Sequence, residues 1–141
     1  MGDVLVTGGT GGLGRELVTR LLDRGHRVAI TSRDPDATAP EGVTVHGVDL
    51  RSGAGMAAAV AGAEVVLHAA STVRGAGKVE PGGARHLLAA IGDARPHLIY
   101  VSIVGVDHHR FGYYRAKWAA EQVLEGGAVP VTIQRSTQFH T

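Results

Sequence analysis

Val4-Leu5-Val6-Thr7-Gly8-Gly9-Thr10-Gly11-Gly12-Leu13-Gly14-Arg15 decides how this chain is read. Val4 to Val6 is a short apolar run with the length and composition of a buried parallel strand. Glycines at Gly8, Gly11 and Gly14 follow it, and Leu13, Leu17, Val18, Leu21 and Leu22 then recur at helical spacing. Gly25 stands where a helix C-terminal glycine belongs. Strand, glycine loop and helix therefore come in the order that a dinucleotide site requires. Gly8 permits a turn too tight for a Cβ, Gly11 lets backbone approach a pyrophosphate, and Gly14 lets the helix close on the strand. The free N–H groups and positive dipole end of the helix face the phosphates. No Gly-Lys-Ser/Thr follows, which excludes the Walker phosphate loop.

Arg27 to Thr31 reads as a second strand, completing a βαβ unit with a right-handed crossover. Beyond this strand a site selective for NAD places an acid on the ribose 2′-hydroxyl. Here Ser32-Arg33 stands in that place, with Asp34 one position further. A planar, permanently charged guanidinium suits a 2′-phosphate, so NADP(H) is expected over NAD(H). Pro35 to Gly42 has no helical period, and one crossover is expected without a helix. Val43 to His46 is a third strand, and Asp49 falls just past it. Asp49 either accepts from the adenine amino group or N-caps a helix starting near Ser52.

Ala54 to Ala61 reads as a short helix and Glu64 to His68 as the fourth strand, with His68 a packed core histidine. Ala69-Ala70-Ser71 follows, small enough for the chain to pass under a cofactor. Thr72 to Pro81 is glycine-rich and reads as mobile, while Ala84, Leu87, Leu88 and Ile91 make one helical face. His97 to Ser102 is the fifth strand, Tyr113 to Leu124 a helix with the stripe Ala116, Ala119, Ala120, Val123 and Leu124, and Pro130 to Gln134 the sixth strand. This alternation predicts an α/β, Rossmann-type, doubly wound parallel sheet of about six strands in the order 3-2-1-4-5-6.

Bulk properties narrow the class. The chain has 141 residues, a formal net charge of +1 and no cysteine. One NAD(P)-binding domain over residues 1–141 is expected. Nothing in the charge suggests nucleic acid or an anionic membrane, and no thiolate metal site exists. No apolar run approaches the roughly 20 residues of a membrane span, and the first strand begins too early to leave room for a signal peptide. A soluble, cytoplasmic protein is the expectation. The 8 histidines lack the spacing of a zinc motif, and His108-His109 reads as a polar loop.

Tyr113-Tyr114-Arg115-Ala116-Lys117 supplies candidate chemistry. The i, i+4 spacing sets Tyr113 and Lys117 on one face. An ammonium beside a phenol favours the phenolate, lowering its pKa from about 10 toward the working range. Such a phenol can exchange a proton with a carbonyl or alcohol oxygen during hydride transfer. The competing reading is a surface tyrosine with Lys117 paired to Glu121.

The glycine loop, His68-Ala69-Ala70-Ser71, Ser102 and Tyr113-x-x-x-Lys117 together resemble the short-chain dehydrogenase/reductase superfamily. Val101 to Asp107, Tyr114 to Lys117 and Arg135 to His140 resemble its atypical, NmrA-like branch. The resemblance implies that Gly8, Thr10, Gly11, Gly12, Leu13 and Gly14 hold the pyrophosphate, with Ser32 and Arg33 at the 2′-phosphate. It places Asp49 and Leu50 at adenine, and Ala69, Ala70 and Ser71 along the cofactor. Ser102, Tyr113 and Lys117 form the implied catalytic set. Two departures stand out: a single Ser102 followed by Ile103, and competition between Tyr113 and Tyr114. Relatives also continue past the sixth strand into a C-terminal substrate-binding part that this chain is expected to lack.

Two functions follow. One is hydride transfer between NADPH and a small carbonyl or quinone-type substrate; the other is a non-catalytic NADP(H)-binding module or redox sensor. An exposed edge near Val131 to Ile133 makes a homodimer the expected assembly.

Overall fold

The apolar run after Gly2 forms β1 (Asp3–Thr7) at the interior of a six-stranded parallel sheet. A computed structural model describes residues 2–70, 76–108 and 111–137, with backbone alone for 76–78. The other strands are β2 (Arg27–Ser32), β3 (Thr44–Gly47), β4 (Val65–His68), β5 (His97–Ile103) and β6 (Val131–Ser136). Their order is β3-β2-β1-β4-β5-β6, as the alternation predicts. The chain reverses direction across the sheet between β1 and β4, where Val6 is in register with Ile30 on one side and Leu67 on the other.

Alternation along β1 divides the core. Val4 and Val6 meet Val18 of helix α1 (Gly12–Asp23) together with Val28 and Ile30. Leu5 faces the other layer, built from α2 (Met56–Val60), α3 (Ala76–Ile91) and α4 (Gly112–Glu125). Leu87, Leu98, Ala120 and Leu124 are fully buried there. Each such leucine contributes about 1.5–3 kcal/mol of apolar transfer free energy. No helix among the described residues is long and apolar enough to cross a membrane.

Three expectations are corrected. The helix of residues 84–91 starts at Ala76, so residues 76–81 are helical; 72–75 lie outside the described residues. Pro81 and neighbouring glycines suppress the helical signal, yet Val79, Glu80, Ala84, Leu87 and Ile91 bury one continuous face. The short helix α2 starts at Met56 with Gly55 as its N-cap, so Asp49 does not cap it. The buried residues of α4 are Ala116, Lys117, Ala120, Glu121 and Leu124, while Ala119 and Val123 are half-buried. The crossover over residues 35–42 does lack a helix.

Thr7 ties the strand ends together. Its Oγ1 accepts from the N–H groups of Ala69 (3.0 Å) and Ala70 (3.1 Å) and lies 2.7 Å from His68 Nδ1. Both lone pairs being used, the hydroxyl proton points at the ring nitrogen. Thr7→Val keeps the shape and leaves two N–H groups without their acceptor. Urea unfolding is expected to show a loss of about 2–4 kcal/mol; an unchanged midpoint would remove Thr7 from this role.

Candidate active-site cleft

The glycine loop closes tightly on α1. Gly8 has φ +70°, and a Cβ there would lie 2.7 Å from Ala70 Cα. A Cβ on Gly14 would lie 2.1 Å from the Gly8 carbonyl oxygen, so only glycine lets the helix sit this near β1. Gly9 is equally constrained, its Cβ position lying 2.4 Å from Ile30 Cγ2, a requirement that no sequence spacing announces. Gly11 meets no such obstacle in the protein, its Cβ position having only an ordinary 3.5 Å contact. The Gly8 N–H donates to Thr31 Oγ1 at 3.1 Å, which anchors the loop to β2. No side chain caps the N-terminus of α1, whose first turn carries no acid.

A cleft of about 860 Å³ runs along the carboxyl ends of the strands. Gly8, Thr10, Gly11, Gly12, Leu13 and Gly14 line its middle, with Ala69 and Ala70 opposite. Ser32, Arg33, Asp49 and Leu50 line one end, and Ser102, Tyr113 and Lys117 the other. Ser71 lies outside the described residues, as do His109 and residues 138–141. Every other residue singled out for the site is therefore brought to one cleft.

At the end beyond β2, Arg33 is exposed and has no ion pair among the described residues. Asp34 does not pair with it; Asp34 Oδ1 accepts from the Asp36 N–H at 2.9 Å. Asp49 Oδ1 accepts from the Arg51 N–H at 2.8 Å, fixing the turn that leads out of β3. Arg51 joins Arg33 and Asp49 in lining the cleft, and sequence reading passed over it.

The opposite end is buried. Lys117 is not paired to Glu121 on the surface, as the competing reading would have it. Its Nζ donates to the Val101 carbonyl at 2.9 Å, stands 4.6 Å from the Tyr100 ring centre and lies 6.0 Å from that of Tyr113. Glu121 instead accepts from Arg135 Nε (3.1 Å) and Nη2 (2.7 Å). Burial pulls the Lys117 pKa down, against the pull of Glu80 and Glu121 upward. Burial raises the Tyr100 phenol far above its ordinary range, with Glu80 adding to it. Ser102 shares the buried face of β5 with Tyr100, and its Oγ has no hydrogen-bond partner among the described residues. Tyr114 also lines the cleft, but packs against Phe111 with ring centres 6.4 Å apart, which leaves Tyr113 as the tyrosine beside Lys117.

The described residues contain no metal-binding cluster of His, Cys, Asp and Glu. A dinucleotide, by contrast, fits what is present. The volume lies within the range of cofactor pockets, the α1 N-terminus offers N–H groups with no side-chain cap, and Ser102, whose Oγ is buried without a partner among the described residues, lines the same cleft.

Comparison with known proteins agrees. A sequence family described as NAD(P)H-binding matches residues 8–141, and the chain belongs to that family. Residues of the chain are 44% identical over 75 positions to a 3-beta-hydroxysteroid dehydrogenase of Mycolicibacterium neoaurum, covering 52% of this chain and 20% of that protein. Vestitone reductase from alfalfa superposes with a TM-score of 0.78 at 25% identity, over 94% of this chain and 56% of that one. A short-chain dehydrogenase/reductase superfamily protein of Agrobacterium tumefaciens, solved with bound NAD, shares the fold at a TM-score of 0.77 and 24% identity, over 94% of this chain and 48% of that one. The chain spans about half the length of these solved structures, whose fold it shares.

His68 at the floor of the cleft makes stability pH-dependent. Burial, with the nearby Lys117 charge, pushes its pKa down to about 3 from 6.5. Between those values the unfolded chain holds a proton that the native ring refuses. Stability from this group is therefore full above about pH 6.5 and falls as pH drops toward 3, at up to about 1.4 kcal/mol per pH unit. Urea midpoints at pH 7 and pH 5 should differ less for His68→Asn, whose Oδ1 can still accept from Thr7. Parallel losses in both proteins would exclude His68 as the source.

Proposed function

We propose that the chain is the cofactor-binding part of an NADP(H)-preferring oxidoreductase that moves hydride between nicotinamide and a small carbonyl or quinone-type substrate. The observation that carries this reading is the single cleft with the glycine loop at its middle, Arg33 at one end and the Ser102, Tyr113 and Lys117 group at the other. A secondary alcohol or ketone is a reasonable substrate class, given a hydroxysteroid dehydrogenase among the relatives.

A bound nicotinamide would supply or accept the hydride. The protein's own groups do the rest. Backbone N–H groups at the start of α1 take the pyrophosphate, and the Arg33 guanidinium takes the 2′-phosphate. Asp49 faces the adenine end, and Ala69 and Ala70 leave room for the ribose. Tyr113 gives a proton to the carbonyl oxygen, or removes one from the alcohol, while Ser102 Oγ donates a hydrogen bond to the same oxygen. Lys117 stabilises the phenolate of Tyr113 that results when it gives up its proton. Phe111, 71% exposed, offers an apolar lip at this end of the cleft.

Titration with NADPH and NADH tests the first half. Arg33→Ala is expected to weaken NADPH about 10- to 100-fold and leave NADH nearly unchanged; equal affinities in the parent protein would remove the NADP preference. A panel of ketones and quinones tests the second half. Tyr113→Phe should lower kcat about a hundredfold or more. Tight NADPH binding with no turnover on any substrate would point instead to a non-catalytic binding module.

A further inference from the structure

Glu80 is a buried carboxylate with no part in the hydride-transfer scheme. It lies on α3, within the segment whose sequence looked least structured, and its side chain is 1% exposed. Tyr100 Oη donates to Glu80 Oε2 at 3.0 Å, and Lys117 Nζ stands 3.8 Å from the same oxygen with its own side chain 5% exposed. Three elements thus meet at one oxygen: α3 through Glu80, β5 through Tyr100 and α4 through Lys117.

A buried carboxylate is costly unless a countercharge and hydrogen bonds satisfy it. Lys117 supplies the countercharge and Tyr100 a hydrogen bond. The relation is reciprocal, because Lys117 is itself buried and would shed its proton if left alone. Glu121 cannot replace Glu80 in full, being committed to Arg135 by two hydrogen bonds. The Val101 carbonyl takes one of the three ammonium N–H groups. Glu80 and the Tyr100 ring occupy its inner side, and Lys117 still lines the cleft.

We propose that Glu80 is a positioning residue that holds the Lys117 ammonium, charged and oriented, at the floor of the cleft beside Tyr113. This rests on the reading of Tyr113 and Lys117 as the acid–base pair. Among the described residues, the titratable groups around Lys117 are Glu80 on α3, Tyr100 on β5, Tyr113 and Glu121 on α4, and His68 on β4, which stays neutral. Of these, Glu80 is the carboxylate whose partner across the cavity floor is Lys117.

The chain has only two lysines, Lys78 and Lys117, so lysine labelled with 13C at Cε gives two resonances. Following both against pH in the parent protein and in Glu80→Gln reads the effect directly. Glu80→Gln should lower the Lys117 pKa by about one unit or more; Glu80→Asp should restore part of the difference. Coincident Lys117 curves in the parent and Glu80→Gln would overturn the proposal. Should Glu80→Gln fail to fold, the parent protein alone still decides. Lys117 Cε protons beside the Tyr100 ring must be displaced upfield of those of a lysine in an unstructured peptide, and their absence there overturns the placement. No cofactor or substrate is needed for either readout. Lys117 unmoved while Tyr113→Phe abolishes turnover removes this inference alone. Lys117 shifted while Tyr113→Phe remains fully active removes the acid–base reading, and with it the purpose given to Glu80.

Discussion

The hydroxyl of Thr7 holds the place where the sheet reverses. In the order β3-β2-β1-β4-β5-β6, β1 and β4 diverge in their connections, and a crevice opens between them. A crevice there needs its floor closed, since the backbone leaving β4 has N–H groups with no further strand to pair them. Thr7 Oγ1 takes two of those, from Ala69 and Ala70, and its hydroxyl donates a hydrogen bond to His68 Nδ1. The position of Ala70 in turn decides the glycine loop, because Ala70 Cα is the atom that a Cβ on Gly8 would strike. One buried threonine therefore links the strand ends, the loop and the neutral histidine under the cleft.

From that floor the polarity of the site divides. His68 stacks on Tyr100 with ring centres 5.4 Å apart, and Tyr100 Oη donates a hydrogen bond to Glu80, whose charge faces Lys117. Each member is satisfied by the next, the arrangement in which a buried polar network is tolerable. Ser102 Oγ stands apart from this chain, beside the cleft, without a partner among the described residues. In a layer where the other polar atoms are matched, that unmatched hydroxyl is the one aimed at a ligand on the proposed reading.

Strand order was legible because a parallel sheet buries both faces and so writes short apolar runs that alternate with helical periods. Gly8 and Gly14 were legible for a related reason: each answers a steric demand that recurs wherever a strand turns at once into a helix. Gly9 answers a demand made by Ile30, far away in sequence, and nothing in the local spacing could disclose it. The first half of α3 was read as mobile because Gly77, Pro81, Gly82 and Gly83 depress helical propensity; tertiary packing of Val79, Glu80 and Ala84 overrides that. The spacing of Lys117 and Glu121 also allows an exposed i, i+4 pair, the competing reading, because charge ordinarily marks the solvated face of a helix. Their true partners, Glu80 and Arg135, come from α3 and β6, and only the fold brings them near.

The two ends of the cleft hold their cations in different media, and this suits them to different work. Arg33 is exposed, so its attraction for a phosphate acts through water and is open to salt, which on the proposed reading discriminates two cofactors by a modest free energy. Lys117 is enclosed, where the same charge acts through a far less polarisable medium and a neighbouring phenol feels it strongly. A carboxylate beside an enclosed ammonium helps it keep its proton against the pull of burial. A strong local charge under what the proposed reading makes the nicotinamide end therefore rests on two buried charges, and the fold supplies them by setting Glu80 on α3 against Lys117 on α4.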